Sequence, residues 1–509
     1  MKRFSIAVAL LLAMLCPWAV SAQNQYGFTD NIPEGNILHC FSWPIKDIKA
    51  ELPNIAASGF GSIQISPMQR PDINEGWTWY TIYLPYDYGV FSSPGMGSRE
   101  DLRELCAEAE KYGIKIIVDV VLNHVNKTEP YFNPWFNIDG RYRHWGNDGG
   151  SKWINYGSRY SITHDPLGDY VELNTENTEV IGRAKQMIEE LKSLGVKGIR
   201  YDAAKHIELP LQSEGGSQIW PTVSSVTGLF HYGEVVGKCS DAGDEEITEY
   251  AKYIWVPNNL YSTDGSKNND GIPYTHGSER DDLTGGKLIY WGESHDDYSN
   301  DEWSERKDQG VIDRAYCALA SRNKQAALYY SRPRARGKDN IKIEKGSMAF
   351  MGKHIVEVNK FRNAMNGKAD YYMYNGNDAA SITRQDGGAV IVAKGSNVNV
   401  TVDNGGSYCP SGTYKDRVSG NTFTVTASTI SGMVGPTGVA VIYGDNLYKT
   451  TPTPEKVTIT GTKTYNVAYS GDFSNGNNYI HYWSDTNKDL ETKWPGVKME
   501  RAKGSDGKY

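Results

Sequence analysis

The sequence predicts an α/β protein: a (β/α)8 barrel with an insertion subdomain after its third strand, a C-terminal antiparallel β domain and a partial β-rich module. Apolar strand candidates alternate with helix-spaced segments up to Asn366. Residues 125–175 interrupt this alternation without strong periodicity, as a functional excursion or small subdomain does. Beyond Asn366 the pattern becomes one of short alternating strands.

The first half of the barrel begins with a strand candidate at 35–41, a helix-spaced segment at 45–58 and a second strand at 62–66. The next helix, 98–112, begins with a capping Ser98 and an acidic Asp101 and ends at Gly113. Residues 114–122 form a near-continuous Ile/Val run, which is typical of a parallel strand covered on both faces.

The second half resumes with a helix over 178–194 that ends at Gly195. The remaining strand candidates and the closing helix follow in order: strands at 198–202, 230–235, 253–256, 287–293 and 326–330, and a helix at 348–365. We therefore assign residues 23–366 to the barrel, with the insertion at 125–175.

The two ends of the chain differ from this core. Lys2 and Arg3, an apolar stretch and Val20-Ser21-Ala22 predict a signal peptide at 1–22, and hence a secreted, cell-surface or periplasmic protein. Cys16 leaves lipid attachment as an alternative, although Leu15 before it fits that processing badly. At the other end we predict a β domain at 367–448, a Thr/Pro linker at 449–456 and a partial module at 457–509.

Composition excludes several functions. The formal net charge is −8 without basic clusters, which argues against nucleic-acid binding. Apart from the first residues, no segment is apolar enough to predict a membrane span. The cysteines have neither disulfide-framework nor metal-site spacing. We expect a monomer.

Carboxylates stand at the ends of three predicted strands: Asp202, Glu234 and Asp296. In a barrel these ends converge on one rim. Arg200 lies on the same strand face as Asp202, and its charge favours an ionised, oriented nucleophile; a structural ion pair is the alternative. Two carboxyls about 5–5.5 Å apart would suit retaining glycoside hydrolysis. By itself Asp119 is expected to be structural, and Asp297 a solvated loop carboxylate.

Four stretches carry a resemblance: Asp119-Val-Val-Leu-Asn-His124, Gly198-Ile-Arg-Tyr-Asp-Ala-Ala-Lys-His206, His231-Tyr-Gly-Glu234 and Glu293-Ser-His-Asp-Asp297. In this order they resemble the four signature regions of the α-amylase family of glycoside hydrolases, family 13. The likeness is greatest to secreted bacterial members, through residues 202–210, 216–221 and 330–333. The terminal module, with Trp483 and Trp494, resembles starch-binding modules, although an ordinary β-sandwich core is the alternative.

The resemblance implies a role for each residue. Asp202 would be the nucleophile, Glu234 the general acid/base and Asp296 the stabiliser of the transition state. Seven residues would contact substrate or orient the site: Arg200, His124, His295, Lys205, His206, Tyr83 and Tyr80. It also implies a structural Ca²⁺ held by Asn123, Thr163, Glu172 and His206, where Glu172 replaces the usual Asp.

The resemblance thus implies an exported endo-acting α-amylase that cleaves internal α-1,4-glucosidic bonds of starch-type glucans with retention. A maltooligosaccharide-forming or transglycosylating relative is the first alternative, because subsite loops decide between these outcomes. A non-catalytic α-glucan-binding protein is the second, although such proteins usually lack one of the three carboxylates.

Overall fold

A computed structural model describes residues 26–71, 78–91, 95–126, 133–145, 154–212, 215–236, 243–258, 271–273, 279–301, 304–323, 325–376, 379–395 and 397–444, with three strands beyond them. The chain divides into two compact units, Met1–Thr450 and Thr451–Tyr509. The predicted signal peptide and linker lie outside the described residues.

Eight parallel strands form the barrel of the first unit. They are β1 (Asn36–Cys40), β2 (Ser62–Ile65), β3 (Lys115–Val121), β7 (Gly198–Asp202), β8 (Phe230–Gly233), β9 (Val256–Asn258), β10 (Leu288–Trp291) and β11 (Ala326–Tyr330). Backbone bonds around Trp255 close the ring between β8 and β9: Gly233 N–H donates to Trp255 O and Trp255 N–H to His231 O, both at 2.9 Å. The predicted fold class is confirmed.

Nine helices are described, most of them around this barrel. They are α1 (Ile45–Ala57), α2 (Arg99–Lys111), α3 (Arg159–His164), α4 (Thr178–Ser193), α5 (Ile219–Ser224), α6 (Gly243–Tyr250), α7 (Glu279–Thr284), α8 (Gln309–Ala320) and α9 (Lys353–Ala364). Ser98 and Asp101 form the capping box of α2, so the predicted start of that helix is confirmed. Gly113 and Gly195, at φ 73° and 99°, follow α2 and α4 in the left-handed conformation that favours glycine.

The insertion after β3 is a small subdomain of its own. Strands β4 (His124–Val125), β5 (Tyr142–Trp145) and β6 (Val171–Leu173) form an antiparallel sheet in the order β4-β6-β5, and α3 lies between β5 and β6 in the chain. The first strand of this sheet begins at His124, next to the end of β3. The subdomain is therefore joined to the barrel rim where the strands end.

Two four-stranded antiparallel sheets follow the barrel. The first comprises β12 (Asp370–Tyr374), β13 (Ala379–Arg384), β14 (Gly388–Ala393) and β19 (Val439–Tyr443); the second comprises β15 (Val398–Asp403), β16 (Gly412–Lys415), β17 (Thr422–Val425) and β18 (Thr429–Val434). One face of the first sheet belongs to the barrel's hydrophobic core, and the other packs with the second sheet. In the second unit, β20 (Asn466–Asp472), β21 (Asn477–Trp483) and β22 (Val497–Met499) form an antiparallel sheet.

Two predicted elements were wrong in their bounds. The strand expected at 253–256 begins at Val256, because Tyr253 and Ile254 still donate backbone bonds to Tyr250 at the end of α6. The helix expected at 348–365 begins at Lys353, because the extended ψ of 133° at Gly352 separates it from a short 3-10 turn. Within the described part of the chain, no helix is long and apolar enough to cross a membrane.

Candidate active site

The strand ends of the barrel surround one cavity of about 1050 Å³. Its lining includes all ten residues that the sequence predicts for catalysis and substrate binding: Asp202, Glu234, Asp296, Arg200, His124, His295, Lys205, His206, Tyr83 and Tyr80. They come from β7 and the turn after it, from the segments after β3, β8 and β10, and from a 3-10 turn at Trp79–Tyr83. Residues far apart in the chain thus meet at one place.

The guanidinium of Arg200 joins the carboxylates electrostatically. Its Nη1 lies 2.5 Å from Asp202 Oδ1, and its Nη2 lies 3.1 Å from Glu234 Oε2. Glu234 Oε2 also accepts the Ala203 N–H at 2.9 Å. Ala203 has a φ of 47°, a left-handed conformation that is uncommon without glycine. The chain therefore turns sharply after Asp202 and directs an amide at Glu234.

The three carboxyls influence one another's titration because they line the same cavity. Burial, and then the charge of Glu234, raises the pKa of Asp296 well above its usual range. Burial also favours the neutral form of Glu234, but Arg200, His295 and the Ala203 amide outweigh it and lower the pKa of Glu234 to about 2. Because the charge of Glu234 disfavours ionisation of Asp296, the two carboxyls together favour holding one proton.

Asp202 balances two opposing effects. Burial raises its pKa to about 7, with Arg200 opposing the rise and the charge of Glu234 adding to it. The prediction from the sequence included only the effect of Arg200, which favours the ionised form, and left out the effect of burial. Arg200 therefore favours the ionised form of Asp202 against the effect of burial.

A network that sequence reasoning missed lies beneath these carboxylates. Gln64 Nε2 donates to Asp119 Oδ1 at 2.7 Å, while Gln64 Oε1 accepts from the Tyr232 hydroxyl. Asp119 also accepts from Tyr83 at 2.8 Å and lies 3.5 Å from Arg200 Nη1. Asp119 is fully buried and has the structural role expected of it, yet its partner is the same arginine that contacts Asp202.

Only Gln64 carried a signal in the sequence. It stands between Ile63 and Ile65 in a fully buried strand, where an amide needs polar partners. Its partners Asp119 and Tyr232 lie on β3 and β8, so their identity could not be read from the chain. The expectation for Asp297 was wrong: it is buried, and it accepts the Ser294 N–H at 2.8 Å instead of facing solvent.

Aromatic rings form one wall of the cavity. Tyr83 stacks on His295 with ring centroids 5.5 Å apart, and its hydroxyl is held by Asp119. On the insertion side, His124 stacks on Tyr170 at 4.8 Å. Tyr156 lies over the ammonium of Lys205 and meets the ring of His206 edge-on at 6.0 Å. Flat rings beside polar groups are suited to binding sugar rings.

The residues predicted to hold calcium lie where β3, the insertion and the turn after β7 meet. Asn123 Oδ1 is buried without a hydrogen-bond partner among the described residues, and Asn123 Nδ2 donates to Glu172 at 3.0 Å. Glu172 is 1% exposed, and burial, followed by the charge of Glu208, raises its pKa well above its usual range. A buried carboxylate next to an unsatisfied amide oxygen fits a hard cation. Thr163 and His206, whose backbone carbonyls the resemblance implies as further ligands, are buried as well, and the His206 ring Nδ1 lies 3.0 Å from Ile162 O.

A second acidic cluster lies nearby, comprising His164, Glu176 and Glu208. The Arg143 guanidinium contacts Glu208 and lies 3.5 Å from Glu176. Because a cation of the protein itself already balances these carboxylates, the cluster fits an ion less well than Asn123 and Glu172 do.

Comparison with known proteins supports the resemblance to the α-amylase family. Residues 45–224 match the family model described as alpha amylase, catalytic domain. An alpha-amylase of Clostridium acetobutylicum is 31% identical over 457 residues, covering 84% of this chain and 56% of that protein. An alpha-amylase of Butyrivibrio fibrisolvens is 28% identical over 509 residues, covering 86% and 50%. The chain thus spans about half the length of these curated relatives.

Solved structures show the likeness of fold. An alpha-amylase from Malbranchea cinnamomea superposes with a TM-score of 0.63 at 18% identity, covering 81% of this chain and 97% of that chain. An alpha-amylase from Geobacillus thermoleovorans, complexed with acarbose, gives 0.60 at 18% identity, covering 82% and 99%.

Proposed function

The chain carries a catalytic domain of the α-amylase family of glycoside hydrolases, and from that premise we propose that it is an endo-acting α-amylase. It would hydrolyse internal α-1,4-glucosidic bonds of starch-type glucans with retention of configuration. The observation that carries the proposal is the placement of Asp202 and Glu234 on one guanidinium, with Asp296 lining the same cavity.

In the first step Asp202 attacks the anomeric carbon while Glu234 protonates the departing glycosidic oxygen. The C–O bond to the leaving chain breaks, and an ester between Asp202 and the sugar forms. In the second step Glu234 takes a proton from water, whose oxygen displaces Asp202. Two inversions give net retention.

Glu234 must hold a proton before the first step, and the charge that Glu234 and Asp296 would otherwise share favours one proton between the two carboxyls. When sugar hydroxyls hydrogen-bond to Asp296, its ionised form is favoured, and the proton passes to Glu234. Ionised Asp296 then faces the positive charge that develops on the sugar.

The remaining residues bind the glucan. His124 and His295 have pKa values lowered by burial, to about 4 and about 3, so they act as neutral hydrogen-bonding groups. Tyr83 and Tyr80 provide rings at the cleavage point, and Lys205 and His206 face the leaving-group side.

Calcium is part of this proposal. Asn123 and Glu172, with Thr163 and His206 beside them, would hold it, and the ion would supply positive charge that neutralises Glu172 and ties the insertion to the barrel. Export is proposed as well, on the predicted signal peptide at 1–22.

The test is digestion of soluble starch by the purified protein, following both chain length and the anomer of the products. We expect a rapid fall in iodine staining with α-configured oligosaccharides. Products of β configuration would contradict retention. Slow loss of staining with one short product would indicate the maltooligosaccharide-forming alternative. Starch binding without hydrolysis would favour the binding protein.

A further inference from the structure

Arg159, an arginine of the insertion, hydrogen-bonds to backbone carbonyls of the turn after β7. Arg159 Nη1 donates to Lys205 O at 2.6 Å, and Nη2 donates to Ile207 O at 2.9 Å. These two carbonyls flank His206. The side chain of Arg159 is only 10% exposed, so water competes little for its hydrogen bonds.

The same guanidinium is anchored on α6. Nη1 contacts Glu246 Oε1 at 2.8 Å, and Nη2 donates to the Tyr250 hydroxyl at 2.5 Å. That hydroxyl in turn lies 2.8 Å from Ile207 O. Arg159 therefore connects the insertion, the turn and a barrel helix through one planar group, whose fork of donors fixes several acceptors at once.

The turn carries side chains that face the cavity. Lys205 and His206 both line it, and the Lys205 N–H donates to Glu234 O at 3.0 Å. A shift of the turn would move these two side chains together with the backbone of Glu234. Arg159 itself does not line the cavity.

We propose that Arg159 is a positioning residue for the leaving-group side of the cleft: it fixes the turn so that Lys205 and His206 contact the glucose unit beyond the cleaved bond. This inference rests on the proposed function. It predicts a loss that depends on the leaving group, which a purely structural arginine would not give.

The test compares two substrates in the Arg159→Lys variant, at saturating Ca²⁺ so that loss of the ion is not the cause. Maltoheptaose places glucose units on the leaving-group side. A chloronitrophenyl maltotrioside places only an activated aryl group there, which needs little help from contacts or protonation. We expect kcat/KM to fall at least about tenfold on maltoheptaose and less than about threefold on the aryl glycoside.

Arg183→Lys is the matched control. Arg183 lies on α4 and contacts both carboxylate oxygens of Asp87 at 2.7 Å, away from this turn. Arg183→Lys should change kcat/KM by the same factor on both substrates. Equal losses on both substrates in Arg159→Lys, or no loss on either, would overturn the inference. If the unaltered protein cleaved neither substrate, the proposed function would have failed instead.

Discussion

At the scale of single residues, Arg200 shows why the site needs an arginine. Its guanidinium contacts Asp202 and Glu234 and approaches Asp119, while its side chain is only 4% exposed. A lysine offers a point charge and cannot direct separate N–H groups at three acceptors. The planar fork therefore fixes the positions of Asp202 and Glu234 relative to each other.

The assignment of the nucleophile gives the first prediction. Asp202→Asn keeps the shape of the side chain but removes the attacking oxygen anion, so kcat should fall by several orders of magnitude while glucan binding survives. Single-turnover kinetics and a starch-binding assay measure the two. Asp339→Asn, at the exposed rim of the same cavity, serves as control and should change kcat only a few-fold. Near-normal turnover of Asp202→Asn would contradict the assignment.

Gln64 gives a prediction about pH. In Gln64→Glu a new carboxylate would stand next to Asp119, whose pKa burial already raises to about 6, with Arg200 opposing the rise. Added negative charge makes protons bind more tightly, so the pKa of Asp202 should rise further. The acid limb of the kcat/KM profile should therefore move to higher pH.

Gln64→Met is the control for this shift, since it removes the hydrogen bonds without adding charge. It should lower kcat with a smaller displacement of the limb. A limb that moves equally in both variants, or to lower pH in Gln64→Glu, would show that charge beneath Arg200 does not reach the nucleophile.

At the scale of elements, barrel strands and helices could be predicted from the sequence because hydrophobic periodicity and helix caps depend on residues close together in the chain. The start of α2 at Ser98 depends on residues within one turn, so it could be read directly. The start of β9 depends on how α6 ends, and the partners of Gln64 depend on which strands of the barrel place side chains beside it, β3 and β8. Contacts of this kind are set by tertiary structure, and a linear pattern does not contain them.

The insertion gives a prediction at this scale. Chelating calcium should lower the melting temperature, because an ion that binds only the folded protein stabilises it. Glu172→Gln should abolish most of this calcium-dependent difference, since it removes the buried charge that the ion would neutralise. Thermal melts with Ca²⁺ and with EDTA measure the effect.

The neighbouring acidic cluster provides the control. Glu176→Gln should leave the calcium-dependent difference intact, because Arg143 already balances that cluster. The reverse result, in which Glu176→Gln removes the calcium response and Glu172→Gln keeps it, would place the ion at His164, Glu176 and Glu208 instead.

At the scale of the whole molecule, the barrel and the β domain after it share a core. Val390 and Val441 of the first sheet belong to the same hydrophobic cluster as Phe361 of α9. Arg384, from β13, donates to Ser321 O at 2.8 Å and to Met365 O at 2.7 Å. These bonds satisfy carbonyls at the ends of two barrel helices. The β domain therefore contributes to the stability of the barrel.

Two truncations test this division. Removing all residues after Tyr448 should leave activity on soluble starch within about twofold, because the unit before Thr450 contains the candidate site and its own core. Removing all residues after Asn366 should instead give insoluble or inactive protein, since it exposes the apolar surface that the first sheet covers. Starch assays and circular dichroism of both forms provide the measurement. Collapse of the longer form would mean that the last residues stabilise the barrel, and full activity of the shorter form would mean that the barrel needs no partner sheet.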